Sequence, residues 1–181
     1  KSPYKPYTPK PEQIALVPEI SGNTINGLGE TEFRQPRHVY WSEPEDIPHG
    51  GLQKFFFQQN PDNPAIVEAR ANRDALTAAD VSPVSGPPLQ QSAQQWSQQL
   101  AEYAATIELE LFGITAFNPD WAFEGVELNY KWVIVLGFAH DYEKIKTAPE
   151  DIAGAEVIRQ YGRAKKASKD VATWIRNRGW D

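Results

Sequence analysis

Residues 127–150 read ELNYKWVIVLGFAHDYEKIKTAPE. Apolar residues run almost unbroken from Trp132 to Phe138. Such a run suits a central strand covered on both faces better than a half-exposed hairpin arm. His140, Asp141 and Tyr142 arrive together where it stops. Titratable residues at the carboxyl end of a buried strand mark a candidate site. Thr147, Ala148, Pro149 and Glu150 then spell a capping box, in which the Thr hydroxyl accepts from the backbone at Glu150 and the Glu carboxylate reaches back. A helix is expected to begin there.

Working outward, that helix should run from about residue 148 to 178. Ile152, Val157 or Ile158, Tyr161, Ala164, Ser168, Val171 or Ala172, and Ile175 keep roughly a 3.6-residue period. Gly154 and Gly162 are places where a neighbour could approach or the helix could kink. Acidic residues lie early (Glu150, Asp151, Glu156) and basic ones late (Arg163, Lys165, Lys166, Lys169, Arg176, Arg178), a polarity that complements the helix dipole better than it argues for a phosphate site. Gly179 ends the helix. Upstream, LQQSAQQWSQQLAEYAATIELELFG (89–113) carries Trp96, Leu100, Tyr103, Ile107 and Leu111 as one apolar stripe, with Gly113 placed for a left-handed C-cap. GITAFN (113–118) reads as a short strand, and residues 64 to about 79 as a helix opened by Pro64 and stopped by the prolines of DVSPVSGPP.

The first sixty residues have a different character. KSPYKPYTPKPEQ (1–13) carries Pro3, Pro6, Pro9 and Pro11, expected as an extended arm that straps the surface, with an SH3-type ligand as the alternative. Residues 14–60 mix short apolar pieces with Gly and Pro and hold no period, so the domain organisation reads as an irregular 1–60 region followed by a helix–strand–strand–helix portion over 61–181. Gly22, Gly27 and Gly29 match neither the dinucleotide nor the P-loop spacing and read as a turn-rich loop. Phe55, Phe56 and Phe57 cannot all face one core in a regular element, so one should cover a neighbour or a pocket.

Composition removes several classes of function. The chain of 181 residues is 40% hydrophobic, enough for an ordinary core, and its net charge of −6 gives no footprint for duplex nucleic acid. With no cysteine, the chain cannot hold a disulfide, a thiolate metal site or a cysteine-ligated cluster. His38, His49 and His140 are scattered without a zinc spacing, and no G-x-S-x-G elbow exists. Asp120, Glu124 and Glu127 could supply a carboxylate pair, but they read as a solvated loop. No apolar run reaches the ~20 residues of a membrane span. The compartment reads as cytoplasmic, or periplasmic if the N-terminus is a processed one.

The expected class is α/β, in an α+β arrangement. Two short strands under long helices leave an edge unpaired and apolar area uncovered, so the chain is expected to be part of something longer or to pair with another chain.

The succession ELFGITAFNPDWAFEG (110–125), YKWVIVLGFAHDYEKIKTAPE (130–150) and VIRQYGRAKKASKDVATWIRNRGW (157–180) resembles the N-terminal part of the corrinoid-dependent reductive dehalogenases. More distantly, the strand, loop and Tyr-containing helix are similar to the opening of epoxyqueuosine reductases. The resemblance implies a nitroreductase-like half-fold that cradles a base-off cobalamin. It also implies a pair of 4Fe-4S clusters that feed electrons to cobalt, and an organohalide substrate losing halide with the help of a Tyr acid and a basic partner. It places the cluster cysteines and the catalytic acid downstream of residue 181, so the partner is the C-terminal remainder of the parent protein or another chain. The residues expected at the corrinoid are His140, Tyr142, Glu143 and Tyr161, with His140 as a wall contact rather than a cobalt ligand because the resemblance argues for binding without a protein ligand. Two other readings stand beside this one: a non-catalytic assembly module that keeps the half-fold, and a flavin nitroreductase relative.

Overall fold

The structure, a computed structural model, describes residues 10–15, 32–37, 43–46, 50–51, 54 and 62–181. His38, His49, the glycines 22, 27 and 29 and the phenylalanines 55–57 fall outside the described residues. The chain divides into two compact units, Lys1–Ser42 with Asn118–Asn129, and Glu43–Phe117 with Tyr130–Asp181. In the first, Pro11–Ile14 forms a helical turn with Pro11 at its start. Gln13 Oε1 accepts from Lys10 N–H at 2.9 Å. The extended arm therefore gives way to a turn over residues 11–13, because Pro fits the first helical position, where its missing N–H costs nothing. The rest of that arm lies outside the described residues. Arg37 pairs with Glu124, and Glu124 N–H donates to Pro36 O at 2.8 Å, so Glu124 is an ion-pair partner within this unit rather than half of a carboxylate pair.

The second unit contains helices α1 (Pro64–Leu76) and α2 (Ala93–Ala104), strands β1 (Leu111–Ala116) and β2 (Trp132–Gly137), the single turn α3 (Tyr142–Ile145) and the long helix α4 (Asp151–Arg176). It is α+β in character. Asn63 opens α1 by accepting from Ala65 N–H at 2.9 Å, while its amide donates to Asp151 Oδ2 at 2.8 Å and ties the start of α1 to the start of α4. The two helices run side by side in the same direction. At Gly162 the helices come close: a Cβ there would lie 3.1 Å from the Arg73 Cα. At the far end Lys169 Nζ donates to the carbonyls of Thr77 and Ala79, each at 2.7 Å, placing a cation on the C-terminus of α1 rather than serving its own helix. Arg178, by contrast, donates to Trp174 O at 2.8 Å, at the C-terminal end of α4 itself.

Helix α2 begins with a capping box between Ser92 and Gln95 and turns back along α4. Leu100, Val171 and Trp174 form the buried core, with Trp96, Tyr103, Phe112, Ile134 and Leu136 packed against them. The Trp174 ring is stacked on Tyr103 at 5.6 Å, meets Trp96 edge-on at 5.9 Å and carries the Arg178 guanidinium 3.6 Å from its centre. Three aromatics thus fasten the C-terminal half of α4 to α2, and Arg178 covers the Trp174 ring from its own end of the chain.

Three local expectations fail for identifiable reasons. Helix α2 stops at Ala104 rather than reaching Leu111, and Gly113 lies mid-strand opposite Val135 rather than in a C-cap. The antiparallel ladder sets Phe112 against Leu136 and Ile114 against Ile134, and a helix continued to Leu111 would forfeit those pairs. Strand β2 is covered on one face only: Ile134 and Leu136 meet the core, while Val135 and Leu111 are 51% and 72% exposed on the other. The capping box at residues 147–150 does not form. The Thr147 hydroxyl donates to Lys144 O at 2.8 Å, finishing the α3 turn, and α4 starts at Asp151 with no side-chain cap.

A fourth difference reaches the site. The buried stripe of α4 is Ala153, Glu156, Gln160, Gly162, Ala167, Val171 and Trp174. Ile152 and Tyr161, expected on that stripe, are exposed. Two polar residues occupy the buried face because Glu156 accepts a backbone N–H of the neighbouring loop and Gln160 bonds to Glu156 and Arg163.

Candidate functional site

Strand β2 ends at Gly137, and Phe138 to Asp141 carry the chain to α3. Phe138 and His140 from this exit face Val157, Gln160, Tyr161 and Ala164 of α4 across a cavity of about 230 Å³. The wall is apolar apart from an imidazole, a carboxamide and a phenol. Arg163 lies 5.5 Å from the centre of the Phe138 ring.

The exit loop is held from beneath by side chains of two elements. Glu156, whose residue is 1% exposed, accepts the Asp141 N–H at 2.7 Å and the Gln160 amide at 2.6 Å through Oε1. Its Oε2 faces the Arg159 guanidinium at 2.5 Å and Lys144 Nζ at 4.0 Å. Gln160 Oε1 accepts from Arg163 at 2.8 Å, and Arg163 in turn donates to Glu110 Oε1 at 3.0 Å and Glu108 O at 3.1 Å. Glu110 Oε2 accepts the Ala139 N–H at 3.0 Å. The connections close a circuit from Ala139 through Glu110, Arg163, Gln160 and Glu156 to Asp141, with His140 in the span between.

The electrostatics follow from this geometry. Burial alone would raise the Glu156 carboxyl, but the Asp141 amide, the Gln160 amide and the charges of Arg159 and Lys144 outweigh it and leave its pKa lowered. The Ala139 amide, followed by Arg163, lowers Glu110 in the same direction. Both carboxylates are therefore ionised acceptors at neutral pH, the form that binds an amide N–H most strongly.

Of the residues singled out in the sequence, His140 and Tyr161 line the same cavity. Tyr142 and Glu143 do not line it: Tyr142 is 59% exposed on α3 beside Lys146, and Glu143 is paired with Lys146. Glu110, Glu156, Gln160 and Arg163 escaped the sequence reading. One signal for the helix residues was present, since Ala153, Gln160, Ala167 and Trp174 recur at intervals of seven and Glu156 lies four before Gln160. Among the described residues no group of three or more His, Asp or Glu is arranged to hold a metal ion, and no helix is long and apolar enough to cross a membrane.

Comparison with known proteins gives a partial likeness. The chain is 33% identical over 72 residues to tetrachloroethene reductive dehalogenases of Desulfitobacterium hafniense and Dehalobacter restrictus, a stretch that is 40% of this chain and 13% of theirs. No epoxyqueuosine reductase is among these relatives. No family model matches the chain, and no solved structure does. Part of this chain is thus similar to a small part of an oxidoreductase.

Proposed function

We propose that the chain is part of a cobalamin-dependent reductive dehalogenase and contributes its fold and one wall of the corrinoid and substrate pocket. The observation that carries this reading is the 33% identity to the tetrachloroethene reductive dehalogenases. The cavity supports it through its mostly apolar wall with a few polar groups, the usual lining of a ligand site. A corrin supplies a reducible cobalt for cleaving a carbon–halogen bond. The residues present do not enclose one, because a cavity of about 230 Å³ is smaller than the pockets of about 300–1,000 Å³ that hold ligands of ordinary size. The remaining walls, the cluster cysteines and the larger part of a nitroreductase-like domain would come from sequence beyond these residues.

Within the wall, Tyr161 presents a phenol and His140 an imidazole. Replacing halide by hydrogen takes two electrons and a proton and releases halide; the electrons would come from the reductant and the proton from an acid in sequence beyond these residues, so these two side chains would line the pocket rather than carry the chemistry. Phe138, Val157 and Ala164 would give an apolar substrate an apolar wall.

The test is expression of the full-length protein under anaerobic conditions with cobalamin supplied. The expected result is a stoichiometric corrinoid spectrum and chloride release from tetrachloroethene with a low-potential reductant. A folded protein that carries flavin, or no cofactor, overturns the reading.

A further inference from the structure

We propose that Glu110 and Glu156 are positioning residues that grip the backbone N–H groups of the residues on either side of His140 and so hold the backbone that presents its imidazole to the cavity. Ala139 N–H and Asp141 N–H flank this one residue, and each donates to a carboxylate, at 3.0 Å and 2.7 Å, from a different element. Glu110 stands just before β1, and Glu156 on α4. The carboxylates are not independent anchors, because Arg163 and Gln160 join them through bonds of 3.0, 2.8 and 2.6 Å. An exit loop with an exposed His140 would ordinarily sample several conformations. Here both of its flanking amides are committed to charged acceptors, one of them buried. Burying a carboxylate is costly unless hydrogen bonds and countercharges compensate for the lost water, and Glu156 has both. A core-facing position that could have held Leu instead holds a carboxylate that binds the loop at the Asp141 amide.

The grip on the loop stands on geometry alone. That a fixed His140 serves a ligand rests on the dehalogenase reading above.

The experiment is hydrogen exchange of the 138–142 segment, read by mass spectrometry in the full-length protein, together with the rate at which diethyl pyrocarbonate modifies His140. Glu110→Ala removes the solvent-side anchor without opening the core, and is expected to raise exchange in the segment roughly tenfold and to change the His140 modification rate. Glu110→Gln keeps an acceptor oxygen and is expected to stay within about twofold of wild type, a rescue that a purely structural charge would not give. Glu156→Gln supplies the same comparison from the other side. Unchanged exchange in Glu110→Ala, or equal exchange in the Ala and Gln variants, overturns the proposal. Corrinoid absorbance measured on the same samples reports on the dehalogenase reading, so a corrinoid-free protein with a gripped loop and a corrinoid-loaded protein with a loose one are separate results.

Discussion

The Asp141 amide donates to the buried carboxylate of Glu156 at 2.7 Å, and through that bond the end of β2 is fastened to the first half of α4. A carboxylate on the buried face of a helix is costly there, and its retention is explained by the amides and cations that converge on it.

Glu156→Ala leaves the Asp141 N–H and the Gln160 amide without the buried carboxylate that accepts from them, and the half-exposed Arg159 without its ion pair. The expected loss is about 3 kcal/mol of unfolding free energy, measured by denaturant titration. A loss no larger than that of a surface substitution would mean that water reaches the site and replaces the carboxylate.

The folded Glu156 carboxyl titrates below its ordinary value of 4.5. Its ionised form therefore stabilises the fold, fully so above the unfolded value, and that contribution disappears as pH falls through the lower folded value. Thermal unfolding followed from neutral pH down to about pH 3 should show wild type losing stability more steeply than Glu156→Gln below about pH 5. Parallel curves would show that the charge does not contribute.

Gly162 lets α1 and α4 touch, since a Cβ there would stand 3.1 Å from Arg73 Cα. Gly162→Leu should force the helices apart at a cost of about 2 kcal/mol. Gly162→Ala should cost much less, because better helix propensity, about 1 kcal/mol, offsets the tighter contact. Chemical denaturation of the two variants separates close packing from mere helix preference.

Lys169→Met keeps most of the side-chain bulk but removes the charge that binds Thr77 O and Ala79 O. The expected loss is about 1 kcal/mol, diminished at high salt. Exchange at the end of α1 should rise while the Trp174 cluster stays protected.

Tyr161→Phe removes the cavity's phenol while keeping its ring. In the corrinoid-loaded full-length protein, turnover should stay within about threefold of wild type with melting temperature unchanged, because the acid is expected in sequence beyond these residues. A loss of roughly a hundredfold in turnover at unchanged corrinoid content would instead assign the proton to Tyr161.

Much of the second unit was legible in the residues themselves. Pro64 at a helix start, the period through Trp96, Leu100 and Tyr103, and the apolar run from Trp132 express local rules of helix initiation, periodicity and strand composition. The site was half legible. His140 stood out as a titratable residue at a strand exit and Tyr161 as an aromatic on the following helix, and both line the cavity.

Tertiary structure alone decided where α2 stops, which face of α4 is buried and what holds the loop. Leu111 fits a helical stripe as well as a strand, and only pairing of Phe112 with Leu136 selects the strand. Ile152 and Tyr161 look more burial-prone than Glu156 and Gln160, yet the polar pair lies inside. Hydrophobic periodicity counts transfer from water one side chain at a time. It does not register that a carboxylate becomes stable in a core once a backbone amide from another element arrives to bind it, and the Asp141 amide becomes that partner only after the chain has folded.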